Sequence, residues 1–110
     1  MHQNNHKFKT IAEYPNGYIG FCHCCNSVNI CYKNSLFSFG LDDYKWFYKI
    51  VTEKQCLYHF HTSHGKQMML KTPMQNYCLL FETSELDELA LMIKESMLVI
   101  DSIKNLQNQN

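Results

Sequence analysis

The chain has 110 residues, of which 45% are hydrophobic, and its 10 basic residues balance its 10 acidic ones. This size and composition are typical of one globular domain that buries a core without covalent or metal staples. All of the basic residues are lysines, so no guanidinium group is present for bidentate recognition of phosphates or bases. We therefore expect no nucleic-acid partner.

The first residues, MHQNNHKFKT, are polar and lack the apolar stretch of a signal peptide. No run of about 18 apolar residues follows, so we expect no membrane contact and a cytoplasmic location. Thiols stay reduced in that compartment, and the six cysteines are then expected to be free, buried, metal-bound or catalytic. We interpret residues 1–17 as a polar, partly flexible N-terminal segment.

The first structured half is predicted to cover residues 18–54. The apolar runs YIGFC (18–22) and VNICYK (28–33) indicate two strands, and SLFSF (35–39) indicates a third. Asp42 is the predicted N-cap of a helix over residues 43–54. The helix has one apolar face made of four residues, Tyr44, Phe47, Tyr48 and Val51.

The second half, residues 57–106, has the same pattern. Strands are predicted in LYHFHT (57–62), MMLKT (68–72) and NYCLLF (76–81). A helix follows from about residue 85 to about residue 106, capped by Thr83 or by Ser84, which forms a capping box with Asp87. Its apolar face consists of Leu86, Leu89, Ala90, Ile93, Met97 and Ile100.

The two halves align at an offset of 42 residues, which lays Phe39 over Phe81, Asp42 over Ser84 and Phe47 over Leu89. Helix caps then fall on helix caps and core positions on core positions. We therefore predict an α+β domain built as a tandem βββα repeat, with antiparallel sheets packed against two helices and a flexible tail at 107–110. The alternative is that two ordinary strand-to-helix transitions are similar by chance.

The runs YKNSLFSFGLDDYKWFYKIV and TPMQNYCLLFETSELDELALMI, with cysteines upstream, resemble a small family of uncharacterised bacterial proteins. The resemblance covers about residues 18–103. It implies a bacterial source and these chain limits, and it implies no activity, because the matching positions are core residues.

Four cysteines lie within FCHCCNSVNIC (21–31), and they raise the question of metal binding. Cys22 and Cys25 have C-x2-C spacing, and Cys24 is a substitute for either of them as a thiolate ligand. The predicted second pair of zinc ligands is His61 and His64 from HFHTSH (59–64), with His59 as a substitute. This spacing matches no standard zinc module, and no glycine stands in the cysteine turn.

The competing interpretation is that the thiols are structural. Free cysteine is among the most buried residue types, so Cys31, Cys56 and Cys78 are interpreted as small core residues and the cluster as a reduced, partly buried strand end. A thioredoxin-like redox motif is disfavoured, because its first cysteine belongs at a helix N-terminus and this cluster leads into a strand.

Three apolar residues fall outside the helix core patterns. Trp46 lies away from the apolar face of the first helix, and Leu91 and Leu98 share a polar flank of the last one. Together they favour self-association, most simply as a homodimer.

Two functions follow. The first is a noncatalytic, dimeric interaction or ligand-binding module, with zinc in its cysteine cluster as an optional feature. The alternative is a thiol- or zinc-dependent enzyme or redox sensor that uses the Cys22–Cys25 cluster and the histidines of residues 59–64. No catalytic residue, substrate or partner other than a second copy is indicated.

Overall fold

The computed structural model describes residues 7–53, 57–59, 63–65, 68–71 and 76–107. The described elements, in chain order, are β1 (Lys9–Tyr14), β2 (Gly17–Cys22), β3 (Ser27–Tyr32), β4 (Ser35–Gly40), α1 (Leu41–Thr52), β5 (Leu57–His59), β6 (Met68–Lys71), β7 (Cys78–Phe81) and α2 (Thr83–Gln107). The α+β class is confirmed. Within the described residues, neither helix is long and apolar enough to cross a membrane.

The larger sheet is antiparallel with strand order β1-β2-β3-β4. Alternation along β3 buries Val28, Ile30 and Tyr32, while the residues between them are half-buried. Pairing sets Ile30 opposite Ile19 on one side and Phe37 on the other, so one face of the sheet is apolar. Both helices contact this sheet and each other, and they cover that face.

A tight hairpin joins β1 to β2, and Gly17 at its end allows β3 to approach closely. A Cβ atom at Gly17 would lie 2.1 Å from the carbonyl oxygen of Cys31. Any larger residue at this position would therefore push the two strands apart.

Strand β1 falls in the segment that we predicted to be polar and partly flexible. It pairs with β2, and Ala12 is only 3% exposed. The register shifts between Thr10 and Ala12, so Ile11 is an extra residue. Such a bulge breaks the two-residue alternation, which explains why the sequence KTIAEY does not look like a strand.

Helix α1 begins two residues earlier than predicted, and Asp42 is not its N-cap. Gly40 is the cap residue and supplies no side-chain hydrogen bond. The N–H of Leu41 donates instead to the carbonyl of Asn26 at 2.9 Å, which satisfies one of the free donors of the first turn. Asp42 lies within that first turn, where its negative charge interacts favourably with the helix dipole.

Helix α2 also begins earlier, and the predicted cap at Thr83 or Ser84 is wrong. The carbonyl of Glu82 accepts the N–H of Leu86 at 3.1 Å, and the N–H of Glu82 donates to Glu85 Oε1 at 2.8 Å. This is one half of a capping box, two residues before the predicted one.

The helix cores follow the predicted faces closely. The buried residues are Leu41, Tyr44, Phe47, Ile50 and Val51 on α1, and Glu85, Leu86, Leu89, Met92, Ile93, Ser96 and Ile100 on α2. Tyr48, Ala90 and Met97 pack against the same core but are only partly buried.

The second sheet is an antiparallel meander in the order β5-β6-β7, and it joins the same core through Leu70, Leu79 and Phe81. Helices α1 and α2 start at Leu41 and Thr83, which agrees with the predicted offset of the two halves. The first half, however, has a fourth strand, β1. The equivalence of the two halves as a tandem βββα repeat is therefore not confirmed and stays a prediction.

Candidate metal centre

The cysteine cluster lies in the turn between β2 and β3. Cys22 ends β2 and pairs with Ser27 at the start of β3, so residues 23–26 form a four-residue turn. Asn26 has φ of 52°, in the left-handed region. Asparagine tolerates this conformation better than most residues do, so Asn26 can occupy a turn position that usually favours glycine.

Contacts from both helices hold this turn in place. The carbonyl of Asn26 accepts the N–H of Leu41 at the start of α1, and its Oδ1 accepts a hydrogen bond from Lys104 Nζ near the end of α2 at 2.7 Å. Ser27 Oγ donates to the carbonyl of Cys25 at 3.5 Å. Elements distant in sequence therefore fix the backbone that carries the cysteines.

The turn brings three sulfur atoms together. The Sγ atoms of Cys22, Cys24 and Cys25 all lie within 4.8 Å of one another. Those of Cys22 and Cys24 are 3.4 Å apart, and Cys25 Sγ donates to the Cys22 carbonyl at 3.9 Å. Zinc–sulfur bonds of about 2.3 Å in a tetrahedral site place sulfurs about 3.8 Å apart, and the observed separations lie near this value.

Exposure differs across the cluster, which sets how a ligand reaches it. Cys22 is only 1% exposed, Cys25 is half-buried and Cys24 is exposed. The cluster therefore has a closed side against the domain and an open side at Cys24. Within the described part of the chain, no fourth ligand atom joins the three sulfurs.

The surroundings of Cys24 oppose its ionisation without a metal. The hydrogen bond with Cys22 raises the pKa of the Cys24 thiol, and desolvation and the charges of Cys22 and Cys25 raise it further. A thiolate at one position disfavours a second beside it. A divalent cation reverses this balance, because its charge favours deprotonated sulfur.

The histidine half of the predicted site is not brought to the cysteines by the described residues. His64 is exposed in the turn at 63–65, and His59 lies on β5. Among the described residues, the group of metal-ligand atoms that lie together contains the three cysteines and no histidine. His61 lies outside the described residues, as does Cys56.

The structure also changes the interpretation of the other thiols. Cys78 is exposed at the start of β7, so the prediction that it is a core residue is wrong. Cys31 is half-buried, because its neighbours Ile30 and Tyr32 point to the core and Cys31 points to the opposite face. Cys24, treated as a substitute from the sequence, is a full member of the cluster, since a turn gathers residues that a strand would separate.

A second polar group lies at the start of α2. Glu85, only 6% exposed, is ion-paired with Lys33 at 2.6 Å. Glu88 Oε1 accepts hydrogen bonds from Tyr32 at 2.7 Å and from Asn16 Nδ2 at 2.8 Å. These partners come from the turns and strands of the larger sheet, so the carboxylates serve to anchor α2, and we assign them no catalytic role.

One comparison with known proteins gives a match. The model of a family of unknown function, DUF6686, matches residues 4–109. The chain belongs to this family. No curated protein and no solved structure matches it significantly. The family membership agrees with the resemblance to an uncharacterised family. Because the function of DUF6686 is unknown, the family indicates no ligand or reaction. A function is therefore argued from the cysteine turn and its surroundings.

Proposed function

We propose that this member of DUF6686 is a noncatalytic metal-binding module that holds one zinc ion through Cys22, Cys24 and Cys25. The proximity of the three sulfur atoms, all within 4.8 Å, carries the proposal. Thiolate ligands select soft and borderline ions, of which zinc is the most common in proteins. The described residues supply three of the four ligands of a tetrahedral site, so the fourth position is left for another ligand.

The alternative of a thiol enzyme or redox sensor has less support. Nucleophilic cysteines depend on a lowered pKa, whereas the pKa of Cys24 is raised, first by its hydrogen bond with Cys22. In the part of the chain that the structure describes, the group of metal-ligand atoms around these sulfurs contains no histidine. At Cys24, the raised pKa disfavours a thiolate that would attack a substrate.

The proposal is tested by metal analysis of protein purified without an affinity column. We expect about one zinc per chain by native mass spectrometry and elemental analysis. Cys22→Ser and Cys25→Ser should each lose the ion, and Cys78→Ser, which changes an exposed thiol outside the cluster, should keep it. Because the ligands must lose protons, binding should weaken as the pH falls below neutrality.

Two results would contradict this function. Metal-free protein that does not take up zinc, cobalt or cadmium after reduction would reject the metal site. Rapid alkylation of Cys24 at neutral pH in the reduced, metal-free protein would favour the thiol enzyme, because a thiol with a raised pKa reacts slowly.

We further propose that the module is a homodimer that pairs through α2. Leu91 and Leu98 are 55% and 71% exposed and lie seven residues apart on the outer side of the helix. Contact about a two-fold axis would remove both pairs of leucines from water. Trp46, 44% exposed on α1, adds apolar surface that a second copy can cover.

Sedimentation at micromolar concentration tests the dimer. The wild type should sediment as a dimer, and Leu91→Lys with Leu98→Lys should give a folded monomer, because a charge at a two-fold interface repels its own copy. Leu36→Lys is the matched control, since Leu36 is 63% exposed on the larger sheet. A monomeric wild type, or a control that dissociates equally, would refute this interface.

A further inference from the structure

A cleft of about 450 Å³ opens beside the cysteine turn, on the helix side of the larger sheet. Its walls come from β1 and the residues before it, from β2, from the turn and from the end of α2. The described lining residues are Lys7, Lys9, Ile11, Phe21, His23, Cys24 and Ile103.

The bulge in β1 explains why this wall exists. Lys9 pairs with Phe21 and Ala12 with Ile19, so the shift between Thr10 and Ala12 keeps both Lys9 and Ala12 on the side of the buried Phe21 and Ile19. In a regular strand, Lys9 and Ala12 are three positions apart and would point to opposite faces. Bulges commonly redirect side chains next to binding sites, and here the bulge adds a lysine and an isoleucine to one cleft.

The cleft combines an apolar floor with a basic edge. Ile11, Phe21 and Ile103 supply hydrocarbon surface, and Lys7 and Lys9 supply two ammonium groups. None of the described lining residues is acidic, so these charges are not neutralised within the cleft. This distribution is complementary to a molecule with one anionic end and one apolar end.

Size also favours this cleft over the one beside the ion pair of Lys33 and Glu85. Small-molecule sites usually measure about 300 to 1,000 Å³. The cleft beside the ion pair of Lys33 and Glu85 measures about 240 Å³, and that pair neutralises its own charges. The cleft beside the turn lies within the usual range and has unbalanced positive charge.

We propose that the cleft beside the cysteine turn binds a small amphipathic carboxylate, such as a medium-chain fatty acid. The carboxylate accepts hydrogen bonds from Lys7 and Lys9, and the hydrocarbon chain packs on Ile11, Phe21 and Ile103. This inference goes beyond the metal-binding function and does not depend on it, because the proposed contacts require no ion.

Titration with octanoate tests the site in the full-length protein. Binding is followed by calorimetry and by amide chemical shifts, in buffer that contains a chelator so that the cluster is metal-free. We expect saturable binding at one site per chain, with shifts concentrated in β1, the end of β2 and the end of α2. Octanol, which has the same chain length and no charge, should bind more weakly.

Matched lysine variants identify the basic edge. Lys7→Gln with Lys9→Gln should weaken octanoate binding at least about tenfold, because two charge-assisted hydrogen bonds are lost. Lys45→Gln with Lys49→Gln removes the same charge from α1, outside the cleft, and should leave the affinity within about twofold, since surface charges at a distance are screened. Both pairs change solvent-exposed residues, so both should fold.

Three results would overturn the proposal. They are the absence of saturable octanoate binding, equal losses in the two lysine variants, and binding that appears only when zinc is present. The last result would show that the carboxylate is a ligand of the metal and that the lysine edge is not its site. Metal analysis is carried out separately, so failure here leaves the zinc site to be judged on its own.

Discussion

The side chains of Tyr44 and Ser96 form the hydrogen bond that joins the two helices in the core. The hydroxyl of Tyr44 and Ser96 Oγ are hydrogen-bonded, and both residues are fully buried. Ser96 Oγ also donates to the carbonyl of Ile93 at 2.7 Å, so Tyr44 is the donor in the bond between the two hydroxyls. The two residues are therefore suited to a double-mutant cycle.

The hydrogen bonds of this pair determine how much unfolding free energy each variant is expected to lose. Ser96→Ala leaves the buried hydroxyl of Tyr44 without its acceptor and should cost about 1 to 3 kcal/mol. Tyr44→Phe should cost about 0.5 to 1.5 kcal/mol, because Ser96 keeps its bond to Ile93. The double variant leaves no orphaned hydroxyl and should cost clearly less than the sum of the two.

Urea unfolding provides the assay. The single tryptophan, Trp46, lies on α1 two residues from Tyr44, so its fluorescence reports on this helix and circular dichroism reports on the whole fold. Additive costs in the double variant, or a cost below about 0.5 kcal/mol for Ser96→Ala, would refute the coupling.

The pH dependence adds a check on the same pair. Burial raises the pKa of Tyr44 above its usual value, so the folded state keeps the proton that the unfolded state releases. This group should therefore reduce stability as the pH rises above about 10, the usual pKa of tyrosine. Tyr44→Phe should remove that component.

Two further predictions concern the larger sheet. Hydrogen bonds from Asn16, and to a smaller extent from Tyr32, lower the pKa of Glu88. Glu88 therefore stabilises the fold above the usual carboxyl pKa, and this stabilisation is lost as the pH falls through the lowered pKa. Asn16→Ala should raise the pKa of Glu88 in a carboxyl NMR titration, and an unchanged pKa would contradict the assignment. Gly17→Ala should strongly lower the urea concentration at the unfolding midpoint, because the new methyl group overlaps the carbonyl of Cys31. Gly40→Ala is the control and should be tolerated, because a Cβ atom there meets nothing within 4 Å. Equal effects of the two substitutions would contradict this packing.

Much of the fold is predictable from the sequence, because local patterns encode it. The alternation of Val28, Ile30 and Tyr32 predicts a half-buried strand, and the helical spacing of Leu86 and Leu89 predicts the buried face of α2. The missed strand β1 and the misplaced cap of α1 share one cause. For β1 and for the α1 cap, a partner outside the local segment decides the structure: the neighbouring strand accommodates the bulge, and the carbonyl of Asn26 caps Leu41. The α2 cap is local, between Glu82 and Glu85, and was misplaced by two residues.

The candidate site divides in the same way. The proximity of the Cys22 and Cys25 sulfur atoms follows from their sequence spacing, because one short turn separates them. The same turn brings the Cys24 sulfur to them. A predicted ligand such as His64 had to come from the other half of the chain. Its distance from the cysteines depends on how the two sheets pack, which residue spacing does not encode. The cleft was missed for the same reason, because its walls belong to β1 and to the opposite end of the chain.

Cys24 belongs to the proposed zinc site and also lines the cleft proposed to bind a carboxylate, which predicts a coupling of definite sign. Three neutral thiols carry no charge, whereas zinc with three thiolates carries one net negative charge. At a separation of about 10 Å in water, this charge would repel a bound carboxylate by about 0.4 kcal/mol, or about twofold in affinity. Octanoate should therefore bind slightly more weakly to the zinc-loaded protein, and by reciprocity zinc should bind more weakly when octanoate is present. Tighter binding in both directions would mean instead that the carboxylate occupies the open coordination position of the ion.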